Sequence, residues 1–226
     1  MANCTMNRER QLAGVNSYTR ELGFNPVDVL AAGGSATNRA RAEVPAPAAT
    51  SWLDLCCGTG RALIQAAGHL HRTGPSRRAV IVGVDLIDVV DAVPTSFPGP
   101  ELICASITTW TPTQTFDLVT CLHGLHYVGD KLGVLARAAG WLTRDGLLVA
   151  DLDLSSIRLP DGQPAGRRLT SRLRAAGFSY DPRRRRISRT GPGEVRLPYS
   201  YLGADDRAGP NYTGQPAVHS YYAEHR

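Results

Sequence analysis

The sequence predicts a doubly wound α/β fold, a mostly parallel sheet with helices on both faces, and three observations carry that prediction. From Thr50 onward, short β-branched or aliphatic runs alternate with segments of helical spacing, the pattern of βαβ units. The first such run, Ser51 to Cys56, leads into the glycine-rich turn Gly58-Thr59-Gly60 and then a helix. The second run, Val80 to Asp85, ends on a carboxylate, where a nucleoside ligand of such a fold places its ribose hydroxyls.

Residues 1–49 read as an N-terminal helical cap, and residues 50–226 as the ligand-binding domain. Within the cap, Arg8 to Leu12 starts helical, and Ser17 to Leu22 is a second short helix that Gly23 and Pro26 break. Pro26 to Leu30 opens a third with proline in its first turn, Gly33-Gly34-Ser35 interrupts it, and Arg39 to Glu43 is helical again. Pro45 to Ala49 is an extended linker. The remaining strands are expected at Leu102 to Ala105, Phe116 to Cys121 and Leu147 to Leu152. The intervening helices are expected at Arg61 to His71, near Asp88 to Ala92, at Gly129 to Trp141 and at Gln163 to Ala176. Late strands are expected at Arg185 to Arg189, Val195 to Leu202 and Val218 to Tyr222.

The turn after the first strand narrows the ligand. Glycines let the backbone approach it, and the helix that follows aims unpaired N–H groups and a positive dipole end at it. A dinucleotide fingerprint needs a third small residue where Leu63 stands, which weakens a nicotinamide reading. The stretch Asp54-Leu55-Cys56-Cys57-Gly58-Thr59-Gly60 instead resembles the first motif of class I S-adenosylmethionine (SAM)-dependent methyltransferases, acidic-x-Gly-x-Gly-x-Gly. Asp54 is the acid, and Gly58 and Gly60 are the last two glycines. Cys56 replaces the first glycine, which predicts a backbone conformation there that a Cβ tolerates. The resemblance covers residues 51 to 155 and implies a seven-stranded sheet, closed at one end by an antiparallel hairpin that the late strands would supply.

The same resemblance assigns the site. SAM is the implied cofactor, with Asp54, Cys56, Gly58 and Gly60 of the first motif binding it and Asp85 on the ribose, followed by Leu86. Ser106 replaces the acid that the family sets against the adenine amino group, and the backbone N–H of Ile107 meets the ring. Cys121 lies near the methionine part, and the loop Leu122-His123-Gly124-Leu125-His126 faces the acceptor. An imidazole titrates near neutrality, so His123 is the preferred base. His126 stabilises the loop, and Tyr18 of the cap is the next candidate base. Asp151 and Asp153 alternate at the end of the fifth strand and share a face. They could bind a divalent metal, orient a substrate amine or cap the next turn; capping is the default, and no metal is expected.

Composition bounds the partners. The chain of 226 residues is one ordinary domain with a short appendage. Its apolar runs fall far short of the roughly 18 to 20 residues of a membrane span, and its start lacks a signal-peptide layout, so a cytoplasmic protein is expected. Five cysteines without a Cys-x-x-Cys pair read as reduced thiols. The net charge of +5 is concentrated in Arg183 to Arg186 and Arg189, a run without interleaved aromatics that reads as a solvated turn or a charged edge strand. A small molecule is the expected partner, nucleic acid and membrane are not, and a homodimer stays open. The expected activity is methyl transfer to a small acceptor, in bacterial secondary metabolism given the arginine-rich, lysine-poor composition. The alternatives are an RNA methyltransferase using the arginine run, and a cyclase or binding protein that keeps the fold without methylating.

Overall fold

The computed structural model describes residues 15–31, 50–73, 79–86, 91–206, 209–210, 214 and 216–225. Seven strands form one sheet: β1 (Thr50–Leu55), β2 (Ala79–Asp85), β3 (Glu101–Cys104), β4 (Phe116–Cys121), β5 (Leu142–Asp151), β7 (Ser179–Asp181) and β8 (Arg186–Thr190). Their order is β3-β2-β1-β4-β5-β8-β7. The first five run parallel, and β8 is antiparallel to both β5 and β7. The expected seven-stranded sheet and its terminal hairpin are therefore present. The hairpin, however, is β7 with β8, and its turn carries the arginine run.

The other late strands go elsewhere. β9 (Tyr199–Asp205) and β10 (His219–Glu224) join the two-residue β6 (Ile157–Arg158) in a separate sheet of order β6-β10-β9. Hairpin pairing was open to any of these segments by propensity. Ile187 on β8 and Tyr222 on β10 are both buried in the main core, so each sheet contributes one late strand to it.

Strand alternation decides which residues reach which face. On β1, Leu53 and Leu55 enter a core shared with α4 (Lys131–Gly140) and α5 (Gly166–Ala175), through Leu132, Leu135, Leu169 and Leu173. Trp52 faces the opposite way, into a core built with α1 (Val15–Leu22), α2 (Pro26–Ala31) and α3 (Arg61–Thr73). Asp54 shares the face of Trp52, and the register sets it beside Thr120 of β4. Helices α1 and α2 thus pack on the α3 side through Tyr18, Leu22, Val27 and Leu30, all at most 6% exposed. The expected cap helix Arg8 to Leu12, the segment Arg39 to Glu43 and most of the helix near Asp88 lie outside the described residues.

Candidate active site

The C-terminal ends of β1, β2 and β4 converge beside the glycine turn. Cys56 and Cys57 donate their N–H groups to the carbonyl of Val84, at 2.7 and 3.3 Å, which folds the turn back over β2. Gly58 and Gly60 have φ of +61° and +79°, the left-handed region where glycine carries no Cβ penalty. Cys56 has φ of +58°, so the expectation of a Cβ-tolerant conformation fails: this position keeps the backbone of the missing glycine, and the cysteine bears the strain. Its side chain lies against Gly124, where an added Cβ would come within 2.1 Å of the Cβ of Cys56, so position 124 is held to glycine.

Asp85, 6% exposed, accepts the N–H of Gly58 at 2.8 Å and ties the turn to β2. The next residue, Leu86, is 72% exposed, an apolar side chain held out beside a buried acid. Thr59 is buried in the turn, and its hydroxyl has no hydrogen-bond partner among the described residues. An orphaned hydroxyl, an exposed leucine and a left-handed turn together fit a nucleoside ligand at this edge. Ser106 is already engaged, its hydroxyl 2.7 Å from that of Thr108. Buried Ile107 is clamped through its carbonyl by the guanidinium of Arg137, 2.6 Å away. Arg137 had no signal in the sequence, because it reaches the loop from α4.

Asp54 is fully buried. Its Oδ2 accepts the hydroxyl of Tyr18 at 2.7 Å, and its Oδ1 accepts that of Thr120 at 2.5 Å. Burial pushes its carboxyl up to about 7, against the pull of those two hydroxyls and of His123. Tyr18 itself is raised well above its ordinary value, first by burial and then by the Asp54 charge. Cys121 lies buried at the end of β4, and its hydrogen bond with Cys56, together with burial, keeps it a neutral thiol.

His123 projects from the loop after β4, and its Nε2 lies 2.8 Å from Oε2 of Glu21 at the end of α1. Burial lowers the imidazole pKa, but the Glu21 hydrogen bond and charge, helped by Asp151 and Asp54, outweigh it and hold the pKa above the ordinary value. Asp151, at the end of β5, is raised by burial and opposed by Arg186. Arg186 donates through Nε and Nη2 to Oδ1 of Asp151, at 3.0 and 2.9 Å, and through Nη1 to the carbonyl of Glu21. Glu21, His123 and Asp151 each place a ligand atom within 4.8 Å of the others, spacing that a divalent cation could use. The guanidinium on Asp151 already supplies the positive charge there, which works against a second cation.

The neighbouring residues divide between loop and hairpin. His126 belongs to a 3-10 turn, Leu125–Tyr127, with its ring 4.0 Å from that of Tyr127 and its carbonyl accepting Val218 N–H. Asp153 caps the turn after β5 through Ser155, as its default role predicts, and also accepts Arg185. Arg184 lies 4.0 Å from Asp181. The arginine run is therefore not simply a solvated turn: Arg186, its side chain 12% exposed, is a strut between Asp151 on β5 and the carbonyl of Glu21 on α1.

A family model described as a methyltransferase domain matches residues 30–189. No curated protein matches the chain. Among solved structures, the chain resembles the N-methyltransferase NodS from Bradyrhizobium japonicum WM9, crystallised with S-adenosyl-L-homocysteine. Identity is 13%, coverage is 81% of this chain and 91% of that one, and the TM-score is 0.49. It also resembles CalS10, an amino pentose methyltransferase of Micromonospora echinaspora, at 22% identity, 67% and 56% coverage and a TM-score of 0.41. The [4+2]-cyclase SpnF resembles it at 20% identity, 68% and 56% coverage and a TM-score of 0.42.

Proposed function

The chain belongs to the methyltransferase-domain family, and from that premise we propose that it methylates a small-molecule acceptor with His123 as the proton-accepting group. SAM is the cofactor. When bound, it supplies an electrophilic methyl group on a sulfonium. Asp85 and Leu86 would hold its nucleoside, Ile107 and Ser106 its adenine edge, and the turn from Cys56 to Gly60, with Asp54 and Cys121, its methionine part. The chain's own residues position the reactants, exclude water and receive the acceptor's proton.

The observation that carries this reading is the cluster of His123, Glu21 and Asp151 under α1, at the strand ends next to Asp54. Helix α1 is tied down on three sides, by Tyr18 to Asp54, Glu21 to His123 and Arg186 to the Glu21 carbonyl. A site closed by a helix suits a small acceptor better than a polynucleotide. The arginine run supports the same choice, since Arg185 and Arg186 each meet a carboxylate, Asp153 and Asp151, at 2.9 Å rather than offering their charges to phosphates. A cap at 1–49 over a domain at 50–226, and a role in bacterial secondary metabolism, belong to this proposal.

Calorimetry with SAM, S-adenosyl-L-homocysteine and NADH tests the cofactor, followed by mass spectrometry of a panel of small phenols and primary amines incubated with SAM. Binding of the first two ligands and a product one methyl heavier support the reading. Binding of NADH alone overturns it, and SAM binding with no methylated product across the panel favours the binding-protein alternative.

A further inference from the structure

We infer that Glu21 is a positioning residue for His123: it accepts the Nε2 proton of the imidazole and so leaves the Nδ1 lone pair as the site that takes the acceptor's proton. This rests on the reading of His123 as the base.

Neutral imidazole carries its one proton on either nitrogen, and the partner of one nitrogen decides which. Four charged groups surround His123: Glu21 from α1, Asp151 from β5, Asp54 from β1 and, behind Asp151, Arg186 from β8. Asp54 is occupied by the hydroxyls of Tyr18 and Thr120. Asp151 gives Oδ1 to two N–H groups of Arg186. Glu21 is the carboxylate whose oxygen meets the ring, at 2.8 Å. Arg186 does not neutralise it; its Nη1 holds the backbone carbonyl of Glu21, which fixes the end of α1 and leaves the carboxylate for the histidine.

The arrangement balances as a proton relay of one step. The acceptor's O–H or N–H bond breaks, its proton passes to Nδ1, and its electron pair remains on the attacking atom. The imidazolium so formed carries both protons, and the Glu21 carboxylate stabilises it across the existing Nε2–H bond. The cap then has a chemical function as well as a covering one, since the base is set in its reactive tautomer only when α1 is seated.

The test is a titration of His123 by ¹⁵N NMR in the wild type, Glu21→Gln and Glu21→Asp, run beside the pH profile of kcat for the best acceptor of the phenol and amine panel. For Glu21→Gln the expected result is a lower His123 pKa, an acidic limb of kcat moved down in pH with it, and a plateau kcat lower by about 10- to 100-fold with acceptor KM little changed. Glu21→Asp, which keeps the charge, should recover much of the rate and of the titration. An unmoved His123 titration in both variants overturns the inference while leaving the base reading standing. A titration that moves while the kcat profile stays in place overturns the base reading, and the positioning role falls with it.

Discussion

The hydroxyl of Tyr18 on α1 donates to Oδ2 of Asp54 at 2.7 Å, inside a site where neither residue is more than 4% exposed. The carboxylate that heads the glycine turn is thus completed by a residue from outside the sheet. Tyr18→Phe removes a hydrogen bond to a buried carboxylate and should cost about 1.5 to 3 kcal/mol of stability. A phenol whose pKa is raised by burial stays protonated near neutral pH and cannot take a proton there, so the variant should keep the pH dependence of the wild-type rate. Chemical denaturation and a rate–pH profile check both parts; loss of the acidic limb would return Tyr18 to the role of base.

Asp85 holds the N–H of Gly58 and would bind the ribose diol. Asp85→Ala should weaken SAM binding by about 1.5 to 3 kcal/mol, the size of lost charge-assisted hydrogen bonds. Isothermal calorimetry reads this directly, and unchanged affinity would place the cofactor elsewhere.

A base must be neutral to accept a proton, and the pKa of His123 is held above its ordinary 6.5 by Glu21. Activity should therefore rise with pH through a midpoint above 6.5 and then level. His123→Ala should lower kcat by about 10² to 10⁴ and leave SAM affinity nearly unchanged, while His126→Ala should mainly cost stability. Full activity in His123→Ala would leave proximity as the source of catalysis.

Arg183 and Arg186 are neighbours in the run with different prospects. Arg186→Gln strips the partner from Asp151 and should cost about 3 kcal/mol, the low end for breaking a buried pair. Arg183→Ser, at an exposed turn position, should stay within about 0.5 kcal/mol. Comparing their denaturation midpoints separates strut from solvated charge.

Lys131 is 1% exposed, and its Nζ donates to the carbonyl of Val218 at 2.8 Å and to Ser220 Oγ at 2.7 Å, tying β10 to α4. Burial lowers its pKa from 10.5 to about 7, against the pull of Asp153. Between those two values the unfolded chain binds the proton more tightly than the folded one, so this group makes the protein more stable as pH rises from 7. Below 7 its burial penalty is fully present. Lys131→Met should lose that slope between pH 7 and 9, measured as the wild-type-minus-variant difference in unfolding free energy. A difference that does not change with pH would mean the lysine stays charged in the folded state as well as the unfolded one.

The turn at Gly58 and Gly60, the strand ends at Asp54, Asp85 and Cys121 and the alternation of strand with helix were legible in the chain alone, because each is a local pattern. A left-handed turn selects glycine, a strand shows a run of aliphatic residues, and an amphipathic helix repeats at its own period. Even there Cys56 misled, since a side chain does not announce the φ imposed on it by the hydrogen bonds to Val84. The pairs Glu21–His123, Tyr18–Asp54, Arg186–Asp151 and Arg137–Ile107 were decided only by the tertiary structure. Each joins residues from different elements with no shared period. The sheet order brings the ends of β1, β4, β5 and β8 side by side, and the apolar face of α1 seats Tyr18 and Glu21 above them. Which polar group meets which is set by that packing, because burial makes an unpaired charge or polar atom too costly to leave and so brings each into contact with a complementary donor or acceptor.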